Sequence, residues 1–261
     1  MANTINVGDK YPGFNNSGKR ARFENPVSFE KNLNPERYEL VENFQHTPGI
    51  NGDLASATEA TRVPRNKDFE ILGTNATSDD VTFSSTVGGI QLQTDGANAD
   101  QVIVLPHLDT KQTAWTGVKW GTENQVIWDC VLRTDASIAS ITIWAGLKLT
   151  NTEAVATDDD QAFFRFDSTD DTTWKCVSSV AGTDTSADSG LTVAANTTYH
   201  LRIEIDSDRK AHFFINDDEV AISAALTNDV DLIPYVGVQG DTTAAKTIHL
   251  AKQKISRIIF E

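Results

Sequence analysis

Two carboxylates with the spacing of a catalytic pair stand in the C-terminal half of the chain. Glu204 and Asp206 lie two residues apart in the run TYHLRIEID (198–206), and a strand would place both on one face. Paired carboxyl groups on one surface are what hydrolysis of a glycosidic bond requires. Turn-forming residues follow at once, at 207–210. The pattern therefore favours a solvated strand face that ends in a turn-forming aspartate.

Other side chains that could do chemistry lack a matching context. The acidic run 157–161 (TDDDQ) offers oxygen ligands for Ca²⁺, but without the spacing of an EF-hand, so an acidic surface loop is predicted. His107 and Asp109 could orient each other, yet no nucleophile motif accompanies them. Phosphate-binding glycine motifs are missing as well. We expect no catalytic residue, no metal and no cofactor, and hence not an enzyme.

Tryptophans raise the question of sugar binding, because aromatic rings present broad apolar faces with a polar edge. Trp128, Trp144 and Trp174 lie within apolar runs and are predicted to be in the core. Trp115 and Trp120 lie in TAWTGVKWG, outside a clear strand. These two are the predicted glycan-contact residues, with plugging the edge of a sandwich as the alternative.

Charge is divided unevenly along the 261 residues. Residues 1–66 carry 8 basic and 8 acidic side chains, whereas 67–261 carry 14 and 29, which is the whole net charge of −15. A field of that sign disfavours nucleic acid and anionic membranes as partners. There is no apolar run of about 18 residues and no secretory signal pattern, so a protein made in the cytosol is expected. Cys130 and Cys176 are predicted to be buried thiols.

The first 66 residues differ in pattern from the remainder. They hold five of the seven prolines and sustain no period of 2 or 3.6. We predict an N-terminal anchoring arm with a linker at 51–66, a disordered tail being the alternative. A short helix is predicted near 35–44, with Asn34 as its N-cap. The predicted anchoring residues are aromatic or basic: Phe14, Phe23, Phe29, Lys19, Arg20 and Arg22.

From residue 67 onward the sequence reads as strands. Short runs rich in β-branched and aromatic residues are bounded by Asp, Thr, Gly and Asn clusters. In the clearest hairpin, every second residue of 198–206 is apolar and is predicted to face inward: Tyr199, Leu201, Ile203 and Ile205. About a dozen such strands without helical periodicity between them predict an all-β sandwich over 67–261.

The residues of this region resemble the concanavalin A-like, or laminin-G-like, jelly-roll family. The similarity lies in the strand 199–206, the strand and Asn-Asp turn of 213–221, and PYVGVQ at 234–239. It implies a jelly-roll β-sandwich. Glycanases of that family carry carboxylates in a pattern near Glu-x-Asp-x-x-Glu, but Arg209 stands at the third position here. That departure speaks against a glycoside hydrolase or lyase, which ranks third among the functions considered.

The chain also resembles virion structural proteins of tailed bacteriophages, in the stretches 105–123, 144–151, 158–167 and 197–209. This resemblance implies a non-enzymatic capsid decoration or fibre-like subunit, assembled in the host cytoplasm. Its arm would bind the major capsid protein or another virion protein, and a homo-oligomer such as a trimer would multiply weak contacts. The alternative function is a glycan-binding module that recognises saccharides of the host or environment.

Overall fold

Alternation of apolar and polar residues builds the strands of this protein. The computed structural model describes residues 37–50, 68–106, 113–150 and 158–259. In strand β12 (Thr198–Ile205) every second side chain is buried, as the sequence predicted (Tyr199, Leu201, Ile203 and Ile205). Residues 216–217 form the next predicted turn, between β13 (Lys210–Ile215) and β14 (Asp218–Ala225).

Sheet 1 contains these three strands and five others. Its order is β14, β13, β12, β7 (Ile127–Thr134), β16 (Thr247–Ile258), β5 (Ile90–Gln93) and β4 (Val81–Phe83), and β1 (Arg37–Glu42) also pairs with β16. Bulges interrupt the ladder between β13 and β14 and between β7 and β16. Such bulges increase the local twist of a sheet.

Sheet 2 also has eight strands. Its order is β11 (Thr183–Thr192), β10 (Thr173–Val180), β9 (Gln161–Asp167), β8 (Ile141–Lys148), β15 (Ile233–Gly240), β6 (Asp100–Pro106), β3 (Phe69–Leu72) and β2 (Gly49–Ile50). All its pairings are antiparallel except that of β2 with β3. Short helical turns occur at α1 (Ala114–Gly117), Ser78–Asp80 and Thr122–Asn124, and no described helix is long and apolar enough to span a membrane.

The main core fills the space between the two sheets. Trp128 and Trp174 are fully buried there, as predicted, and the Trp128 indole N–H donates to Gln253 Oε1 at 3.1 Å. Cys130 and Cys176 are both buried free thiols, which confirms the sequence-based prediction. Burial, with a smaller effect of the Asp188 charge, raises the pKa of Cys176 to about 12. Its thiol therefore stays protonated and unreactive near neutral pH.

The region around residue 40 corrects the sequence-based prediction. The helix predicted for 35–44 is wrong, since Arg37–Glu42 forms strand β1 and pairs with β16. Local capping signals are weak and yield to a sheet edge that offers hydrogen-bond partners. Phe44 is buried, with its ring centroid 5.4 Å from that of Phe69. Part of the predicted arm thus belongs to the sandwich, and residues 1–36 and 51–67 lie outside the described ranges.

Candidate functional site

The carboxylates Glu204 and Asp206 each contact a basic side chain of the same sheet. Glu204 lies 3.3 Å from the Arg202 guanidinium. Asp206 accepts hydrogen bonds from the backbone N–H groups of Asp208 and Lys210, each at 2.8 Å, and contacts His212. Burial alone would raise the pKa of Asp206, but these hydrogen bonds hold it below its usual value. Asp206 is the turn aspartate that the sequence predicted.

The acidic run at 157–161 is not simply a surface loop. Asp158 and Asp160 are buried, which corrects the prediction for two of its three aspartates, while Asp159 is exposed. Asp158 pairs with Lys148 and accepts from the backbone and hydroxyl of Thr150, and Asp160 accepts from a threonine hydroxyl. In the described parts of the chain, no group of three His, Cys, Asp or Glu residues is placed to hold a metal.

Trp115 and Trp120, the predicted glycan contacts, lie in the main core. They are 3% and 1% exposed, and the Trp120 indole N–H donates to the Trp115 carbonyl at 2.7 Å. The Trp115 ring also packs edge-on against Phe69 at 4.9 Å. Both rings are packed in the core, and neither presents a face to solvent in this structure. The other predicted contacts, Phe14, Phe23, Phe29, Lys19, Arg20 and Arg22, lie outside the described residues, as do His107 and Asp109.

A second apolar cluster lies on the outer face of sheet 2, which we define as the face turned away from sheet 1. Alternate residues of five strands form it: Ile103, Leu105, Trp144, Phe163, Val177, Ile233 and Tyr235. Within the described ranges, the partly buried apolar side chain packed against it is Leu72 of β3, also in sheet 2. Trp144 is buried, as predicted, and it belongs to this second cluster. The members of this cluster are 0–8% exposed, so it is a packed apolar layer and not an open patch.

Glycines make room for the aromatic rings of the outer face. Gly237 stands directly opposite Trp144 in the β8–β15 register, and a Cβ at Gly237 would lie 3.4 Å from the indole ring and 2.9 Å from Ile103. A Cβ at Gly146 would lie 2.7 Å from the Cβ of Phe163. Trp144 is 8% exposed, the largest fraction in the cluster. It is thus the most exposed residue of this cluster.

An amide row borders Trp144 on one side. The Gln101 amide donates to Gln239 Oε1 at 2.6 Å, and the Gln239 amide donates to Asp241 Oδ1 at 2.7 Å. The hydroxyl of Thr142, two residues before Trp144, donates to Asp241 Oδ2 at 3.0 Å. Both glutamines and Asp241 are half-buried. We call these four residues the amide rim.

Cations border Trp144 on the other side. Arg165 is the direct neighbour of Trp144 across β8 and β9, and Lys175 is the neighbour of Arg165 across β9 and β10. Their side chains are 35% and 21% exposed. Arg165 Nε lies 3.3 Å from Asp171, and Lys175 Nζ lies 2.6 Å from Asp188. We call Arg165 and Lys175 the cation rim.

The carboxylate of Asp188 is firmly held in its charged form. It accepts from Lys175, from the backbone of Gly190 and from the hydroxyl of Thr173. These hydrogen bonds, that of Lys175 foremost, lower the pKa of Asp188 to about 2. Lys175 therefore keeps an ionised partner at every physiological pH.

A small cavity elsewhere in the sandwich is unsuited to a ligand. It is lined by residues around Glu42, Phe44 and Phe69 and has a volume of about 10 Å³. That is room for about one water molecule. A sugar ring does not fit in this cavity.

The fold is shared with proteins of several kinds. No known family model and no curated protein sequence matches the chain. A protein of unknown function from Shewanella oneidensis MR-1 superposes with a TM-score of 0.55 at 9% identity, over 85% of this chain and 87% of that one. The β-glucanase of Bacillus licheniformis gives 0.54 at 8%, over 83% and 97%. The metal-free carbohydrate recognition domain of Emp46p gives 0.52 at 7%, also over 83% and 97%.

These similarities define the class of the sandwich. The described strands form a concanavalin A-like jelly roll, as the sequence predicted. The expectation that the chain is not an enzyme is contradicted, because a glucanase has the same fold and the jelly roll leaves catalysis open. None of the three proteins is a virion component by its description, so the virion role remains a prediction from the sequence.

Sequence reasoning missed the outer face of sheet 2, although one signal was present. The run ITIWAGLK of β8 is buried at all eight positions. In a two-sheet sandwich, one face of each strand packs against the other sheet. A strand with apolar residues on both faces must therefore also place apolar side chains on its outer face. That argument identifies Trp144 from the sequence once the strand is placed in a two-sheet fold.

Proposed function

We propose that this jelly roll binds saccharides on the outer face of sheet 2, around Trp144. The observation that carries the proposal is the position of Trp144 between the amide rim and the cation rim. A sugar ring has apolar C–H faces and a perimeter of hydroxyl groups. A binding site for it therefore needs an apolar floor beside convergent hydrogen-bond donors and acceptors.

The two rims supply both kinds of hydrogen-bonding group. Gln101 and Gln239 present amides, Asp241 accepts, and Arg165 presents a planar set of N–H donors. Because Trp144 is only 8% exposed, the rims would provide most of the contacts, and the indole edge would form the floor. Their half-buried side chains are accessible to a ligand and are already positioned by one another.

The outer face of sheet 1 is a poorer candidate. It carries a charged ladder in which Asp129 lies 3.5 Å from His200 and 3.8 Å from Lys254. On this face the Phe214 ring is covered by the Arg202 guanidinium, at 4.3 Å from the ring centroid. Such a face is typical of a solvated sheet surface. The carbohydrate recognition domain of Emp46p, which has the same fold, lends further support to a saccharide ligand.

Binding measurements on matched variants test the proposal. The full chain is applied to a glycan array, and the best ligand is then titrated by calorimetry. Gln239→Ala and Arg165→Ala should each weaken binding up to about tenfold, the effect of losing one hydrogen bond of up to about 1.4 kcal/mol. The controls are Gln91→Ala and Arg133→Ala, on the outer face of sheet 1. Absence of any glycan ligand, or equal losses in controls and site variants, would contradict the proposal.

The virion role rests on separate evidence. Its basis is the charge division between a neutral segment of residues 1–66 and an acidic sandwich. The residues expected to bind a capsid, such as Phe14, Phe23 and Phe29, lie outside the described ranges. Co-sedimentation of the full chain with phage particles, compared with a variant bearing alanine at these three positions, tests it independently of sugar binding.

A further inference from the structure

We infer that the site around Trp144 discriminates against acidic sugars. This inference rests on the proposed function and adds the ligand class to it. It follows from the ion pairs of the cations near Trp144 and from two nearby carboxylates, Asp167 and Asp241.

Each cation that the described strands place on the outer face of sheet 2 has a carboxylate partner. Lys148 lies 3.3 Å from Asp158, Arg165 lies 3.3 Å from Asp171 and Lys175 lies 2.6 Å from Asp188. An acidic sugar could bind these cations only by competing with fixed carboxylates of the protein. It would also place its own negative charge beside them, which is repulsive at such short distances.

Two carboxylates at the site, by contrast, have no cation partner among the described residues. Asp241 accepts from Thr142 and Gln239. Asp167, the cross-strand neighbour of Thr142, accepts from the backbone and hydroxyl of Thr169. Thr142, two residues before Trp144, thus lies between two carboxylates that no described cation neutralises. The sandwich around them carries the whole net charge of −15, which adds repulsion at longer range.

The same groups suit hydroxyls well. A carboxylate has about four acceptor positions, and Asp241 fills two of them with protein donors. Arg165 uses Nε for Asp171, and its two terminal amino groups have no partner among the described residues. A neutral sugar can donate hydroxyl protons to Asp241 and accept from Arg165 at once. Neither interaction requires the ligand to carry charge.

Titration of charged and neutral polysaccharides by the full chain tests the inference. The probes are a neutral β-glucan, a neutral mannan and polygalacturonate, each at about 20 and about 500 mM NaCl, near the limits of weak and strong screening. We expect a neutral polysaccharide to bind with an affinity that changes less than about twofold between the two salt concentrations. Polygalacturonate should bind at least about tenfold more weakly at low salt. Binding of polygalacturonate as tight as or tighter than that of the neutral probes would overturn the inference and leave saccharide binding intact.

A charge-neutral variant sharpens the test. Asp241→Asn retains an acceptor but removes one uncompensated charge, so it should strengthen polygalacturonate binding about threefold or more while neutral binding changes less. Asp208→Asn alters the net charge equally in a turn of sheet 1 and is the control. If both variants changed acidic binding alike, the local charge of Asp241 would not be the cause. If no polysaccharide bound to the wild-type chain, the proposed function itself would fail, and the inference with it.

Discussion

Lys148 and Asp158 form an ion pair that is closed off from water. The Lys148 Nζ lies 3.3 Å from Asp158 Oδ2, and the two side chains are 0% and 2% exposed. The same ammonium lies 5.5 Å from the ring centroid of Tyr235. Burial lowers the pKa of Lys148, and the charge of Asp158 opposes that effect. The pair anchors the end of β8 beside the outer apolar cluster.

Removing one partner should therefore be costly. We expect Asp158→Asn to lower the free energy of unfolding by about 3–5 kcal/mol, since it leaves a buried ammonium without its counter-ion. The double variant Lys148→Met/Asp158→Asn should recover most of that loss. Urea denaturation measures both, with the exposed neighbour Asp159→Asn as control. A loss in the double variant as large as in the single one would contradict this account of the pair.

The register of β12 gives a second prediction. Ile203 is fully buried between the sheets, so Ile203→Ala should cost about 2–5 kcal/mol of unfolding free energy. Its neighbour Glu204 faces outward, and Glu204→Ala should change stability by about 0.5 kcal/mol or less. Chemical denaturation separates the two. Similar effects at both positions would mean that the alternation of β12 is misassigned.

Phe44 tests whether the residues before β2 belong to the sandwich. Its ring packs against Phe69, which in turn packs against Trp115. Phe44→Ala should destabilise the protein by about 3–5 kcal/mol. Val41→Ala, in the same segment but 49% exposed, should have little effect. A thermal or urea unfolding curve for Phe44→Ala that matched the wild type would show that this segment is not part of the cooperative unit.

Two histidines should titrate on opposite sides of the ordinary value of 6.5. The hydrogen bond to Glu219 at 2.6 Å, aided by Asp206 and opposed by burial, raises the pKa of His212. Burial, aided by the Arg133 charge and opposed by Asp135, lowers the pKa of His249. The order of the two pKa values is measurable by NMR titration of the imidazole protons, and a reversed order would contradict these environments.

The same shifts fix the sign of the pH dependence of stability. The contribution of His212 is complete below pH 6.5 and is lost as the pH rises through its raised folded pKa. The contribution of His249 is present above pH 6.5 and is lost as the pH falls through its lowered folded pKa. His212→Gln should therefore abolish the decrease in unfolding free energy above pH 6.5 and leave the profile below pH 6.5 unchanged. His249→Gln should abolish the decrease below pH 6.5 and leave the profile above it unchanged.

Sequence pattern predicted the fold wherever one face of a strand was polar. The hairpin of β12 and β13 was assigned with its register because Ile203 and Glu204 differ so sharply in polarity. Strand β11 was missed, because TDTSADSGLT buries almost nothing and is held by ladder hydrogen bonds to β10. The site was missed for the opposite reason. Around Trp144 both faces of β8 are apolar, and only the packing of the second sheet decides which face is outside.

Strand β11 also bears on how molecules of this protein meet one another. It ends its sheet, it is ten residues long, and nearly all its side chains are exposed. A long bare edge of this kind is a template on which a second molecule can add a strand, and charges along the edge prevent that. Asp184 and Asp188 supply such charges. The pKa of Asp188 is about 2, against 3.8 for an ordinary aspartate. Asp188 therefore stays negatively charged in mild acid that protonates most carboxylates. Mild acidification should thus leave the protein free of fibrous self-association through this strand.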